Sequence, residues 1–254
     1  MSPSVASPAI PSLRARIARL EGGGGVPRRE VLPFGIPVLD RRLPGGGLAL
    51  GCLHEVAGGG NGAVDGAAAA GFAAGIAART HSKVLWCVAR QDLFAPGLEQ
   101  AGLAPDRVIH VEAGDDGAVL ACMEEGLRHG GLGAVVAEIA RLPMTASRRL
   151  HLAARGRRTL GIALRRWRRP AEAGDFGQPT AAMTRWRVSA LPSAPLPVPG
   201  VGRARWRVEL VRARAGDTFD IELEACDDSG HLGLPAGLGD RPAAAAGRQQ
   251  RAAG

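Results

Sequence analysis

Between Val31 and Leu164 the chain alternates short apolar runs with longer helical stretches, and this alternation restricts the fold more than any other feature. The runs Leu53–Val56, Val84–Val88, Val108–Val111, Ala134–Ile139 and Leu160–Leu164 have the length and composition of buried strands. Helical stretches separate them at Gly66–Arg79, Pro96–Ala101, Asp115–His129 and Thr145–Arg155. In the third, Val119, Met123 and Leu127 share one face, and Asp115 and Asp116 suit the electropositive N-terminus. Such alternation predicts a mostly parallel sheet with right-handed crossovers and helices over its faces, an α/β fold. After Leu164 the pattern changes. "RRWRRPAEAGDFGQPTA" is polar and turn-rich, and "LPSAPLPVPGVG" is rich in proline. "MTRWRVSAL", "RARWRVELVRARAG" and "DTFDIELEAC" carry strand patterning and predict antiparallel strands extending one edge of the sheet.

The domain predicted from this pattern covers residues 31–239, and a chain of 254 residues has room for one such core plus tails. Residues 1–30 read as a Pro/Ser/Gly-rich flexible arm holding one amphipathic segment, "SLRARIARLE". Leu13, Ile17 and Leu20 share a face there, as in a solvated helix or a docking peptide. Residues 240–254, an Ala/Gly/Arg/Gln tail, are expected to be disordered.

The stretch His54–Arg79 reads as a strand, a glycine-rich loop and a helix of small residues, the outline of a phosphate-binding P-loop. Such a loop needs a lysine to reach the β- and γ-phosphates and a hydroxyl to hold Mg²⁺. With Gly58 as the first glycine, Ala63 stands at the second, Val64 at the lysine and Asp65 at the hydroxyl. Val64 brings no charge, and Asp65 brings a carboxylate towards the place of anionic phosphates. No frame shift helps, because Lys83 is the only lysine in the chain and lies at the start of the next strand. The expectation is a degenerate loop without ATPase chemistry, and no cofactor.

The lead-in "LPFGIPVLDRRLPGGGLALGCLHEVAG" resembles that of RecA-type recombinases, with Gly35, Leu39, Asp40, Gly46, Gly47, Leu48, Gly51 and Glu55 carrying the match. Together with "LHEVAGGG", "VLWCVARQDLFAPGL", "GAVVAEIARL" and "LRRWRR", the chain resembles more narrowly the ImuA family, over roughly residues 31–226. This family consists of RecA-like, SulA-related accessory proteins of the bacterial SOS-inducible mutagenesis cassette. The resemblance implies a RecA-like P-loop NTPase fold. It also implies an adaptor role in error-prone translesion synthesis, with an ImuB-like protein, an error-prone C-family polymerase and RecA as partners. On the same basis Gln91 stands where recombinases carry the water-polarising glutamate, and Glu138 ends the Walker B strand. These two are vestigial NTPase positions. A SulA-type cell-division inhibitor and a RecA-family recombination mediator are alternatives of the same ancestry.

Charge is sorted along the chain, whose net charge is +8. Asp92–Glu138 holds nine acidic residues against Arg107 and Arg128, whereas Ile139–Arg169 holds ten arginines and no acid. At the end of the last core strand Arg165, Arg166, Arg168 and Arg169 surround Trp167, the expected contact for single-stranded DNA or a partner. A solvated surface is the plainer alternative.

Other chemistry is less favoured. Cys52, Cys87, Cys122 and Cys226 form no C-x-x-C pair and, with six scattered histidines, no zinc spacing, so no metal is expected. The N-terminus lacks the apolar region of a signal peptide, and the longest small-apolar run, Gly66–Ala78, is too short to span a bilayer. A cytoplasmic protein without membrane contact is expected.

Overall fold

A computed structural model describes residues 29–235 except 61, 91, 93, 168–172, 174, 175 and 197. The predicted arm and tail therefore lie almost wholly outside the described residues. A short lead-in comes first: strand β1 (Val31–Leu32), helix α1 (Pro37–Asp40) and strand β2 (Leu48–Ala49), with β1 and β2 paired antiparallel. Asp40 closes this lead-in by accepting from the backbone N–H groups of Phe34 and Gly35 at 2.7 and 2.9 Å.

The core alternates as predicted. Strand β3 (Leu53–Gly58) leads into helix α2 (Gly62–Ala78), then β4 (Val84–Val88), α3 (Ala95–Gln100), β5 (Val108–Glu112), α4 (Asp116–His129), β6 (Ala134–Ile139), α5 (Met144–Ala154) and β7 (Leu160–Arg165). Three further strands follow: β8 (Thr184–Leu191), β9 (Arg205–Ala213) and β10 (Phe219–Glu224). They form one eight-stranded sheet in the order β10-β9-β8-β3-β7-β6-β4-β5.

Six of these strands, from β5 to β8, run parallel, and only β9 and β10 are antiparallel additions. The expectation that all three late strands would be antiparallel fails for β8, which pairs parallel with β3. The long return from β7 lets β8 start at the same end of the sheet as β3. β5 was also expected to be buried. It is instead the outer strand, with Ile109 and His110 exposed.

Alternation along each strand divides the core into two layers. On one face Val56, Trp86, Val136, Ile162 and Trp186 pack under α2 and its Phe72. On the other Cys87, Val135, Ala137 and Ala163 meet Val119, Met123 and Leu127 of α4 and Leu150 of α5. Helix α4 has the predicted N-terminus: Asp115 accepts from Ala118 N–H at 2.9 Å, and left-handed Gly130 ends the helix. Helix α2 is narrow because it lies hard against neighbours. A Cβ on Gly75 would fall 2.2 Å from the Cys226 sulfur.

A polar chain threads the first layer. Trp186 Nε1 donates to Thr184 Oγ1 at 2.7 Å, the Thr184 hydroxyl donates to His54 Nδ1 at 2.7 Å, and His54 Nε2 donates to the Ala49 carbonyl at 2.9 Å. The carbonyl only accepts, which sets this tautomer. Burial pushes the His54 pKa down to about 4, so the ring is neutral.

Candidate functional site

The glycine-rich loop joins the C-terminal end of β3 to the start of α2, where a parallel sheet of this kind presents its ligand edge. Here the loop is tied to the sheet. Gly59 N–H donates to the Val188 carbonyl of β8 at 2.9 Å, which removes one donor from any phosphate cradle. Asp65 is buried, and its Oδ1 accepts from Ala190 N–H at 2.9 Å. A Cβ on Gly59 would lie 1.8 Å from Ser189 Oγ and 3.0 Å from Asp65 Oδ2, so only glycine lets the loop close onto these groups. Asp65 thus fastens the helix start to β8 instead of facing an open site. Val64 at the lysine position is 54 % exposed. Lys83 cannot substitute. It precedes β4 at the opposite end of the parallel strands, roughly 15–20 Å away by strand rise, and donates to the Asp106 carbonyl.

Glu138 sits on β6, separated from the loop strand β3 by β7. Both of its carboxylate oxygens are engaged. Trp86 Nε1 donates to Oε1 at 2.7 Å and Arg166 Nη1 to Oε2 at 2.6 Å. Arg166 also reaches Asp92 Oδ1 at 3.1 Å. Burial pushes the Arg166 pKa down, but the charges and hydrogen bonds of Glu138 and Asp92 outweigh it and hold the group above its ordinary value. A cavity of about 230 Å³ opens beside this pair, with Arg90, Asp92, Asp115, Asp116 and Trp167 in its wall. No described residue of the loop 58–65 lines it. A guanidinium therefore holds the carboxylate end of the would-be catalytic edge.

The expected basic contact around Trp167 is dispersed by the structure. Arg165 is 1 % exposed, on the α4/α5 face of β7, where Nη1 donates to Glu55 Oε1 at 2.6 Å. Glu55 Oε2 accepts from Arg185 Nε at 2.8 Å and from Thr180 Oγ1 at 3.0 Å. Arg165 is thus a buried structural cation and not a contact residue, because strand alternation turns it inward between Glu55 and the Ala140 carbonyl. Arg166 points back to Glu138 and Asp92. Trp167 is half-buried, donates to the Ala140 carbonyl at 3.0 Å and meets Phe176 edge-on at 5.4 Å. Arg168, Arg169 and Gln91 lie outside the described residues.

The RadB recombinase crystal structure superposes with a TM-score of 0.55, covering 80 % of this chain and 99 % of that one at 17 % identity. At that identity the likeness carries the fold, which is RecA-like. Protein ImuA of Caulobacter vibrioides, strain NA1000 / CB15N, is 40 % identical over 222 residues, covering 84 % of this chain and 89 % of the relative. The chain belongs to the ImuA family. ImuA of strain ATCC 19089 / CIP 103742 / CB 15 matches to the same extent. No family model matches the sequence.

Within this ImuA-family chain, sequence reasoning missed Asp92, Arg185 and Phe176. Arg185 alternates with Trp186 and Arg187 in a strand pattern, which signals a basic side chain facing away from the aromatic core. Nothing local marks Asp92 or Phe176, since each meets its partners only through the fold. No helix among the described residues is long and apolar enough to cross a membrane.

Proposed function

We propose that the chain is a non-catalytic RecA-like adaptor in SOS-inducible, error-prone translesion synthesis. Its partners in this reading are an ImuB-like protein, through it an error-prone C-family DNA polymerase, and RecA, all in the cytoplasm. The observation that carries the non-catalytic part is Arg166 bonded to Glu138 at 2.6 Å, opposite a loop with Val64 in place of lysine. Phosphoryl transfer depends almost entirely on positioned cations and electrostatic stabilisation, and the loop places Val64 and Asp65 where the motif needs its lysine and its Mg²⁺-binding hydroxyl. Membership of the ImuA family supports the pathway and the partners.

A gene deletion tests the reading directly. Damage-induced mutation is lost while homologous recombination continues, and a copy carrying Glu138→Gln restores induced mutation in full. Normal induced mutation with defective recombination in the deletion strain sinks the proposal in favour of a recombination mediator. Division arrest on overexpression without any mutagenesis defect favours an inhibitor of cell division instead.

A further inference from the structure

The arginine-rich stretch does contain an accessible basic surface, but it lies on α5 and its flank and not at the end of β7. Arg141, Arg148, Arg149, Arg155, Arg157 and Arg158 are all exposed, and no acid occurs among residues 139–167. Helical spacing places them on both shoulders of α5. Ser147, Leu150 and Ala154 face the core, Arg148 and Arg149 lie to either side of it, and Arg155 caps the helix end in extended backbone. On that second side Arg149 and Arg128 converge on the nearly buried Glu124, beside an open groove of about 500 Å³ that Arg155 and Arg157 also line. Arg149 and Arg158 have acidic partners in Glu124 and Glu30, but Arg148, Arg155 and Arg157 have no ion pair among the described residues.

The neighbourhood reports the same excess of positive charge. His151, on the first shoulder, has its pKa lowered by burial and then by the charges of Arg214, Arg29 and Arg155. Its Nδ1 is buried without a hydrogen-bond partner. Guanidinium groups thus crowd the ridge from α5, from the chain ahead of β1 and from the end of β9.

We infer that this α5 ridge binds the phosphate backbone of nucleic acid without reading its sequence. An acidic protein partner would need a desolvated apolar centre, and Leu152 is the only large apolar side chain exposed on the ridge among the described residues. Base stacking is best served by an exposed Trp, Tyr or Phe, and α5 carries none of these, its one imidazole, His151, being half-buried. Charge without an apolar centre or an aromatic platform suits phosphate contacts alone. The inference is independent of the adaptor role, since it rests on the ridge and not on the edge that holds Glu138.

Fluorescence anisotropy of the full chain with short labelled DNA, titrated between about 50 and 200 mM salt, tests it. The wild-type protein binds mixed-sequence duplexes with steep salt dependence and binds oligo-dT and oligo-dA equally. Arg148→Ala/Arg155→Ala/Arg157→Ala lowers the slope of log K against log salt by about 2–3 and weakens low-salt binding by roughly 10–100-fold. Arg205→Ala/Arg207→Ala, on β9, leaves both unchanged. If the triple alanine variant misfolds, single Arg→Gln changes each lower the slope by about one. Absence of binding at 50 mM salt, or an unaltered slope in the variants, overturns the inference. So does binding of a poly-glutamate peptide in place of DNA, which makes the ridge a protein-docking surface.

Discussion

Arg166 and Glu138 meet at 2.6 Å across the ends of neighbouring strands, and the same guanidinium touches Asp92 at 3.1 Å. The carboxylate is 6 % exposed and accepts its other hydrogen bond from Trp86. Removing the arginine leaves a nearly buried carboxylate with an indole partner only. Arg166→Ala is therefore expected to cost roughly 1–3 kcal/mol, less than a fully buried pair because Arg166 is partly solvated. Urea denaturation with an unchanged m-value checks this.

Nucleotide chemistry is the second expectation. Isothermal calorimetry of the purified chain with ATP and Mg²⁺ shows no binding at micromolar concentration, and phosphate release stays at background. Val64→Lys alone does not restore either, because Asp65 remains bonded to Ala190 N–H and Arg166 to Glu138. Turnover that disappears in Glu138→Gln would refute it.

Glu55 serves two guanidinium groups at once, Arg165 and Arg185, and all three side chains are buried. Glu55→Ala strands two cations in the interior and should cost about 3–5 kcal/mol. In a chain of this size that lowers the melting midpoint by about 6–20 °C. Arg207→Ala, exposed beside Asp220 and Glu222, should change it by less than about 1 kcal/mol. Equal midpoint shifts for the two variants would contradict the buried assignment.

Stability should fall on mild acidification. His54 has its folded-state pKa lowered from 6.5 to about 4. Between those values the unfolded chain binds the proton and the folded chain does not, so the contribution is intact above about pH 6.5 and is lost towards pH 4. The full span corresponds to roughly 3 kcal/mol. Melting curves at pH 7.5 and 5 resolve it, and His54→Gln should flatten the difference.

Two glycines of α2 should respond in opposite directions to the same substitution. Gly66 has nothing within 4 Å of an added Cβ, so Gly66→Ala should stabilise by up to about 1 kcal/mol through helix propensity. At Gly75 the added carbon would meet Cys226 at 2.2 Å, and overpacking should cost about 1–3 kcal/mol despite the same propensity gain. Paired thermal melts read the sign directly.

The parallel core was legible where β3, β4, β6 and β7 are short apolar runs with both faces covered, and less so at the outer β5 and at the arginine-bearing β8. Val84–Val88 and Ala134–Ile139 match the predicted bounds, while α2 begins four residues earlier than predicted, at Gly62. Its first turn carries Gly62 and Gly66 and lacks helical apolar spacing, so periodicity could not reveal it. The loop's missing lysine was equally legible, being a matter of residue identity. The fate of "RRWRR" was not. Three adjacent side chains go to Glu55, to Glu138 and to Phe176, and that division follows from strand alternation and from partners at least nine residues away. Charge density alone could not separate arginines committed to carboxylates from those left on the surface of α5.

The bond from Ala190 N–H to Asp65 couples the choice of residue in the loop to the fastening of the sheet. A serine or threonine in place of Asp65 gives up the carboxylate that ties the helix start to β8. A lysine at position 64 meets a carboxylate edge still held by Arg166. Changes towards the P-loop pattern are therefore interdependent: each one alone meets a contact that another residue of the same edge maintains.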